Sequence, residues 1–280
     1  MKRGKIKAGP FTLDFSQKTY VMGILNVTPD SFSDGGKHQR LDQAVDHAAR
    51  MIADGADIID IGGESTRPGS TPVPEEEELE RVIPVVEALA SRFDVPLSID
   101  TYKANVAKEA LEKGAHIIND VWGAKADKSM AQVAKETGAP IILMHNRHNK
   151  DYQHLIRDMI NDLYESIHLV RQAGVKEEQI ILDPGIGFAK TYEHNLEVMR
   201  SLDTFTTLGY PVLLGTSRKS MIGHTLNLPV DQRVEGTIAT VCLGIAKGCD
   251  IVRVHDVKEV CRAVKMMDVM LGRKGGGQHR

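Results

Sequence analysis

Cysteine is scarce in this chain. There are three in 280 residues, Cys242, Cys249 and Cys261, an odd number with no CxxC spacing. That speaks against a disulfide framework and fits buried or incidental thiols in a reducing cytoplasm. No apolar run approaches the roughly 20 residues that a bilayer span requires. The basic start, MKRGKIKAG, is not followed by the apolar stretch and small-residue cleavage site of a signal peptide. An excess of one charge is lacking too. Thirty-five Lys and Arg face 38 Asp and Glu, for a formal net charge of −3, so nothing marks a nucleic-acid or membrane surface. Several catalytic signatures are missing as well. No GxGxxG follows the first apolar run, no P-loop, HExxH or GxSxG occurs, and GIGF (185–188) is too short for a dinucleotide fingerprint. The three His of HNRHNKDYQH (145–154) are irregularly spaced, and those after His145 read as solvated loop positions rather than zinc ligands. The acidic run PEEEELE (74–80) reads as an exposed helix start. No Cys–His or Ser–His pairing suggests a covalent nucleophile.

What the chain has is alternation. Eight short runs rich in Ile, Val and Leu recur: YVMGILN, ADIIDIGG, VPLSID, HIIND, PIILMH, QIILDPG, PVLLGTS and DIVRVHD. Strands that are apolar almost throughout are buried on both faces, as in parallel sheets. Helical patterns lie between them. In LDQAVDHAARMIADG, the residues Ala44, Val45, Ala48, Met51 and Ile52 form one stripe, and several such segments end in Gly, a common cap. Parallel strands need crossovers, and helices supply them. Eight strand–helix units in this length predict an α/β fold of the (β/α)8 TIM-barrel type, with a doubly wound open sheet as the alternative. The predicted organisation is a short N-terminal β-hairpin over 1–19 that floors the barrel, a single barrel over 20–272, and a disordered Gly-rich tail over 273–280.

In such barrels, reactive groups collect at the C-terminal ends of the strands. Those ends read Asn26; Glu64 to Arg67; Asp100; Asn119 and Asp120; His145; Asp183; Ser217 to Ser220; Arg253, His255 and Asp256. One polar strand end means little, because each could merely cap its own loop. Eight converging ends with cations and several carboxylates describe a polar pocket. Asp100, Asn119, Asp183 and Lys219 together offer acceptors, an amide and a cationic donor, suited to the edge of a flat, nitrogen-rich heterocycle. Arg253 and His255, two residues apart, share one face of the last strand. With Asn26 beside them, they suit an oxyanion or phosphate.

The phrases GILNVTPDSFSDGG, DIGGESTRPG, SIDTYKANVAKEAL, INDVWG, LDPGIGF, GTSRKSMIG and VRVHDV together resemble the dihydropteroate synthase family, the sulfonamide target of folate biosynthesis. The resemblance runs from about Tyr20 to Val260, with MHNRHNKD (144–151) its least family-like section. It implies a (β/α)8 transferase, usually a homodimer, that joins 6-hydroxymethyl-7,8-dihydropterin diphosphate to p-aminobenzoate with Mg2+. It further implies catalytic roles for Asp100, Lys219 and Arg253. Contacts to the pterin diphosphate would come from Thr66, Asp100, Asn119, Asp183, Lys219, Arg253 and His255. Asn26 would bind the metal and the diphosphate, and Arg67, Pro68 and Ser220 would gather around p-aminobenzoate. The expected partners are therefore these small molecules and sulfonamide inhibitors, with no nucleic acid and no membrane.

A dissociative displacement fits these residues. The methylene–oxygen bond breaks first, and Asp100 stabilises the resulting pterin cation. The stretch TPDSFSDGG, stiffened by Pro29 and loosened by Gly35 and Gly36, then reads as a lid bringing Phe32 and Asp34 over the intermediate. A solvated loop is the alternative. Two other functions are weighed. A pterin-dependent methyltransferase would need a corrinoid partner, and the chain has no corrinoid domain. A non-enzymatic pterin-binding barrel would be expected to have lost some of Asp100, Lys219, Arg253 or Asn26, and all four are present.

Overall fold

The computed structural model describes residues 4–28, 37–64 and 72–273. The chain opens with an antiparallel hairpin of β1 (Lys5–Ala8) and β2 (Phe11–Asp14). It then alternates strand and helix: β3 (Tyr20–Asn26), α1 (Lys37–Ala53), β4 (Ile58–Gly62), α2 (Glu75–Arg92), β5 (Leu97–Asp100), α3 (Ala104–Glu112), β6 (Ile117–Asp120), α4 (Met130–Thr137), β7 (Ile141–Met144) and α5 (Leu155–Ala173). The rest is β8 (Ile180–Asp183), α6 (Tyr192–Arg200), α7 (Leu202–Thr206), β9 (Leu213–Leu214), α8 (Ser220–Leu226), α9 (Val234–Ala246), β10 (Ile251–Val254) and α10 (Val257–Met270). Strands β3 to β10 form one parallel sheet in the order β8-β7-β6-β5-β4-β3-β10-β9. Its two ends meet through a parallel bridge between Leu182 and Val212, where the Leu182 N–H donates to Pro211 O at 2.9 Å. The sheet is thus a closed (β/α)8 barrel. The open-sheet alternative is excluded.

Side chains alternate in direction along a strand, so each barrel strand feeds two cores. Outward residues such as Ile59, Ile61, Ile99, Ile118, Leu143, Leu182 and Val252 pack under the helices. Inward residues near the strand starts, Met22, Ile58, Ile117, Ile142, Ile181, Leu213 and Ile251, form a second cluster. The hairpin completes that cluster with Ile6, Ala8, Leu13 and Phe15. Each fully buried side chain of this size contributes roughly 1.5–3 kcal/mol of transfer free energy. The hairpin is pinned at its edge by Phe11, whose ring meets His116 edge-on at 5.0 Å, and by the Asp14 N–H donating to the Tyr20 hydroxyl at 2.7 Å.

Four local differences from the sequence reading have simple causes. The hairpin turns at Gly9–Pro10, so its first strand is the charged KIKA segment, whose alternating Ile6 and Ala8 face the barrel. The segment YEHNLEVMRSLDTF, whose pattern suggests a single helix over 192–205, breaks at Ser201 into α6 and α7. Helix α8, which follows the GTSR loop, is only seven residues long, too short to show a period. Glu78, read as part of an exposed acidic start, is buried and ion-paired with Lys103. Among the described residues, no helix is long and apolar enough to cross a membrane. None of the three cysteines forms a disulfide, and Cys249 and Cys261 are buried.

Candidate active site

Two residues beyond the apolar plug, the same inward faces turn polar. Ile58 is followed by Asp60, Ile117 by Asn119, Ile181 by Asp183 and Ile251 by Arg253, while Ser98 and Asp100 face inward from β5. Leu213 is followed by Gly215 and Asp60 by Gly62, so β9 and β4 contribute no side chain at those levels. A Cβ at Gly215 would stand 4.0 Å from both Arg253 and Asp183, and one at Gly62 would stand 3.5 Å from Asp100. Neither glycine places a side chain among the charged groups.

Asp60 is the hub of one wall. It is fully buried, and its Oδ2 accepts from Arg253 Nε at 2.6 Å and from Asn119 Nδ2 at 3.0 Å. Arg253 NH2 donates in turn to Asp100 Oδ2 at 2.6 Å. One guanidinium thus bridges two carboxylates, and the fixed fork of Arg suits that arrangement. The second oxygens, Asp60 Oδ1 and Asp100 Oδ1, are buried with no hydrogen-bond partner. Buried acceptors are rarely left unmatched. Burial raises the Asp100 carboxyl to about 7, against the pull of Arg253. Arg253 stays charged, because Asp60 and Asp100 more than offset its burial.

The opposite wall is Asp183 and Lys219. Burial raises the Asp183 carboxyl, opposed by Lys219 and by the Gly185 N–H, which donates to Oδ1 at 2.7 Å. Burial lowers the Lys219 ammonium to about 8, opposed by Asp183. Lys219 Nζ donates to Ile186 O and lies 4.7 Å over the Phe188 ring. A carboxylate and a cationic donor held side by side can read adjacent donor and acceptor edges of a heterocycle.

The remaining candidates lie around the mouth. His255 follows the end of β10. Its N–H donates to Ser217 Oγ at 3.1 Å, and its Nδ1 lies 2.9 Å from the same hydroxyl, which fixes the ring's orientation. Asn26 ends β3, half-buried, paired in register with Gly62. Ser220 is exposed at the start of α8 and lines an open cleft of about 450 Å³ with His224 and Arg233. It directly follows Lys219 but stands exposed at the mouth rather than inside the barrel. Glu64 accepts from Tyr102 Oη at 3.1 Å and Lys103 Nζ at 2.6 Å, which secures the end of the β4 segment. Phe32, Asp34, Thr66, Arg67 and Pro68, and with them the lid expectation, lie outside the described residues.

Residues 22–255 match the sequence pattern of the family described as "Pterin binding enzyme". The dihydropteroate synthase of Bacillus subtilis is 62% identical over 274 residues, which cover 98% of this chain and 96% of that one. The chain belongs to the dihydropteroate synthase family. The Clostridium beijerinckii member is 59% identical, covering 96% of this chain and 100% of its own. Two solved members overlay closely. The Clostridium difficile enzyme, crystallised in the presence of pteroic acid, gives a TM-score of 0.91 at 52% identity, over 92% of this chain and 98% of that one. The Yersinia pestis enzyme in complex with a sulfonamide drug gives 0.90 at 46%, over 96% and 100%.

Within this family barrel, sequence reading missed Asp60. It sits inside ADIIDIGG, where one acid in an apolar run looks incidental. The available signal was parity: Asp60 shares its face with Ile58 and Gly62, so it must point into the barrel. Lys190 and Glu78 were also missed, because nothing local marks a charged residue as buried. Among the described residues, no three His, Cys, Asp or Glu side chains are grouped to hold a metal by themselves. The Mg2+ implied by the resemblance still fits Asn26. Mg2+ commonly takes one or two protein oxygens and completes its shell with waters and substrate phosphates. A half-buried amide oxygen at a strand end, on the same side of the barrel as His255, meets that requirement.

Proposed function

We propose that this family member joins 6-hydroxymethyl-7,8-dihydropterin diphosphate to p-aminobenzoate, forming 7,8-dihydropteroate and diphosphate. The observation carrying this reading is the polar set inside the barrel. Asp60–Arg253–Asp100–Asn119, with two unmatched carboxylate oxygens, is joined there by Asp183 and Lys219, and two glycines add no side chain among them. A dihydropterin is planar and offers amino, ring N–H, carbonyl and ring-nitrogen groups along its edges. Asp183 accepts from the amino group and ring N–H, Lys219 donates to the carbonyl and neighbouring nitrogen, and Asn119 holds a further ring edge.

The proposed displacement is dissociative. The bond from the pterin methylene to the diphosphate oxygen breaks, and its electron pair leaves with the diphosphate. The ionised carboxylate of Asp100 stabilises the cation left on the dihydropterin, the kind of preorganised electrostatic effect that is usually the largest catalytic contribution. Arg253 holds Asp100 in place and, with His255, Asn26 and Thr66, receives the diphosphate. Mg2+ held at Asn26 would supply charge neutralisation for that leaving group. The aniline nitrogen of p-aminobenzoate then bonds to the methylene and loses one proton to solvent. In this reading, Arg67, Pro68, Ser220, Phe32 and Asp34 serve p-aminobenzoate and cover the site.

Release of diphosphate that requires both substrates together supports the reading. Demethylation of methyltetrahydrofolate by an added corrinoid protein, with no diphosphate released, would replace it with the methyltransferase alternative. The protein is further proposed to be cytoplasmic and homodimeric. Leu243 of α9 and Met266, Val269 and Met270 of α10 are exposed apolar residues on adjacent helices, which supports an interface there. A monomeric mass by light scattering at micromolar concentration would remove that assignment.

A further inference from the structure

Behind the Asp183–Lys219 wall lies a buried lysine that the proposed reaction does not use. Lys190 is 5% exposed. Its Nζ lies 3.0 Å from His145 Nδ1 and donates to Gly185 O and Phe188 O, each at 2.9 Å. An ammonium has three N–H donors, and these three acceptors use them all. Burial lowers the Lys190 ammonium to about 7, opposed by Asp183; with Lys190 charged, it donates and His145 Nδ1 accepts. The ring proton is then on Nε2, which lies 2.9 Å from Asp162 Oδ2. Burial keeps this imidazole neutral, lowering it to about 4. Asp162 remains ionised despite burial, because His145 and Arg147 hold it well below the usual carboxylate range. The Arg147 guanidinium grips it from the far side, with Nε at 2.5 Å.

The two carbonyls that Lys190 holds are the ends of one tight turn, closed by the Phe188 N–H donating to Gly185 O at 3.1 Å. That turn makes three contacts with the pterin-facing wall. The Gly185 N–H donates to Asp183, Ile186 O accepts from Lys219, and the Phe188 ring lies beneath the Lys219 ammonium. Gly185 has φ +67°, and a Cβ there would run into His145 O. The turn is therefore seated directly on the strand that presents His145. Its far side is tied by the Gly187 N–H to Asn195 Oδ1 at 2.7 Å and by the Tyr152 hydroxyl to Ala189 O at 2.9 Å.

We propose that Lys190 is a positioning residue for the heterocycle-reading pair: seated on His145, it fixes the 185–188 turn and so sets the orientation of Asp183 and Lys219. The loop between β7 and α5, which carries His145 and Arg147, thereby acts on the ring end of the substrate without touching it. This inference rests on reading the pocket as the pterin site.

The test separates the two. Pteroic acid binding is measured first for the wild-type protein and for Asp183→Asn. If the wild type does not bind, or both bind equally, the pocket reading fails whatever Lys190 does. With that reading secured, Lys190→Met removes all three donors at similar length. The expected result is a rise of about ten- to a hundredfold in both the pteroic acid Kd and the KM for dihydropterin diphosphate, the scale of a misplaced binding group. The KM for p-aminobenzoate stays near wild type. Unchanged pteroic acid affinity, or equal rises in both KM values, overturns the proposal. The isosteric pair His145→Asn and His145→Leu decides the case even if Lys190→Met fails to fold. Both lose the Asp162 contact, but only Asn keeps an acceptor near the Nδ1 position. The Asn variant should bind pteroic acid markedly better than the Leu variant, and equal affinities overturn the proposal.

Discussion

The lower and upper halves of the barrel interior are built from the same strands, facing the same way, two residues apart. Below, Met22, Ile58, Ile117, Ile142, Ile181, Leu213 and Ile251 close on a hairpin and leave no unmatched polar group among them. Above, Asp60, Asp100, Asp183 and Arg253, with the neutral amide of Asn119 among them, carry charge into the barrel interior, and two carboxylate oxygens lack partners. The lower half is arranged for stability. The upper half sacrifices some of it, since buried charge is costly even when paired; under the proposed function, the return is a set of groups oriented in advance of substrate.

The largest expected effect comes from making the upper half resemble the lower. Asp60→Leu leaves Arg253 and Asn119 without their shared acceptor. Turnover should fall below detection, with a loss of about 3–5 kcal/mol in denaturant unfolding, the usual cost of breaking a buried ion pair. A folded, active Asp60→Leu protein would show that the hub is dispensable.

Asp100→Asn is milder in shape and sharper in meaning. Turnover should fall by about a hundred- to a thousandfold, the scale of a lost electrostatic contact to a developing charge, while pteroic acid binding is largely kept. Stability should move the other way. The folded-state carboxyl is raised from 3.8 to about 7, so the folded protein holds this proton more tightly than the unfolded chain. Stability therefore falls as pH rises between those values, and the Asn variant escapes that loss. Its melting temperature should exceed that of the wild type above pH 7, and the gap should shrink toward pH 4. The same carboxyl predicts an acid limb near pH 7 in the kcat/KM profile of the wild type, with activity lost as pH falls through it. A flat profile from pH 6 to 8 would contradict that role.

In the lower half, Ile117→Ala should cost about 2–5 kcal/mol of stability, with KM for both substrates unchanged. A change in KM there would mean that the two halves are not separable. The smallest effect is expected at the hairpin's edge. Phe11→Ala removes an edge-on contact with His116, worth about 0.5–1.5 kcal/mol beyond the lost area. It should lower the melting temperature slightly and leave turnover alone.

The same contrast explains what the sequence could reveal. Parallel strands buried on both faces advertise themselves, so all eight barrel strands were legible, and their polar ends pointed to Asp100, Asn119, Asp183, Lys219 and Arg253. Pairing was not legible, because it depends on which strands become neighbours. Nothing local shows that Arg253 reaches across to Asp60 and Asp100, far away in the chain. Lys190 looks like any loop lysine until the fold buries it against His145. Glu78 stands in a run of acids whose other members are exposed, and only the approach of Lys103 singles it out. The period of a strand can be read from a sequence, whereas the partner of a buried charge is a property of the closed barrel.

That closure is uneven. Strand β9 has two residues and meets β8 through a single bridge, Leu182 to Val212. Asp183 directly follows one side of this seam, and Lys219 follows the other. Any ring gripped by both residues is also a clasp across the thinnest join in the wall. Occupancy should therefore slow amide exchange along β8 and β9 more than along β4 and β5, so that the substrate helps to hold shut the barrel that binds it.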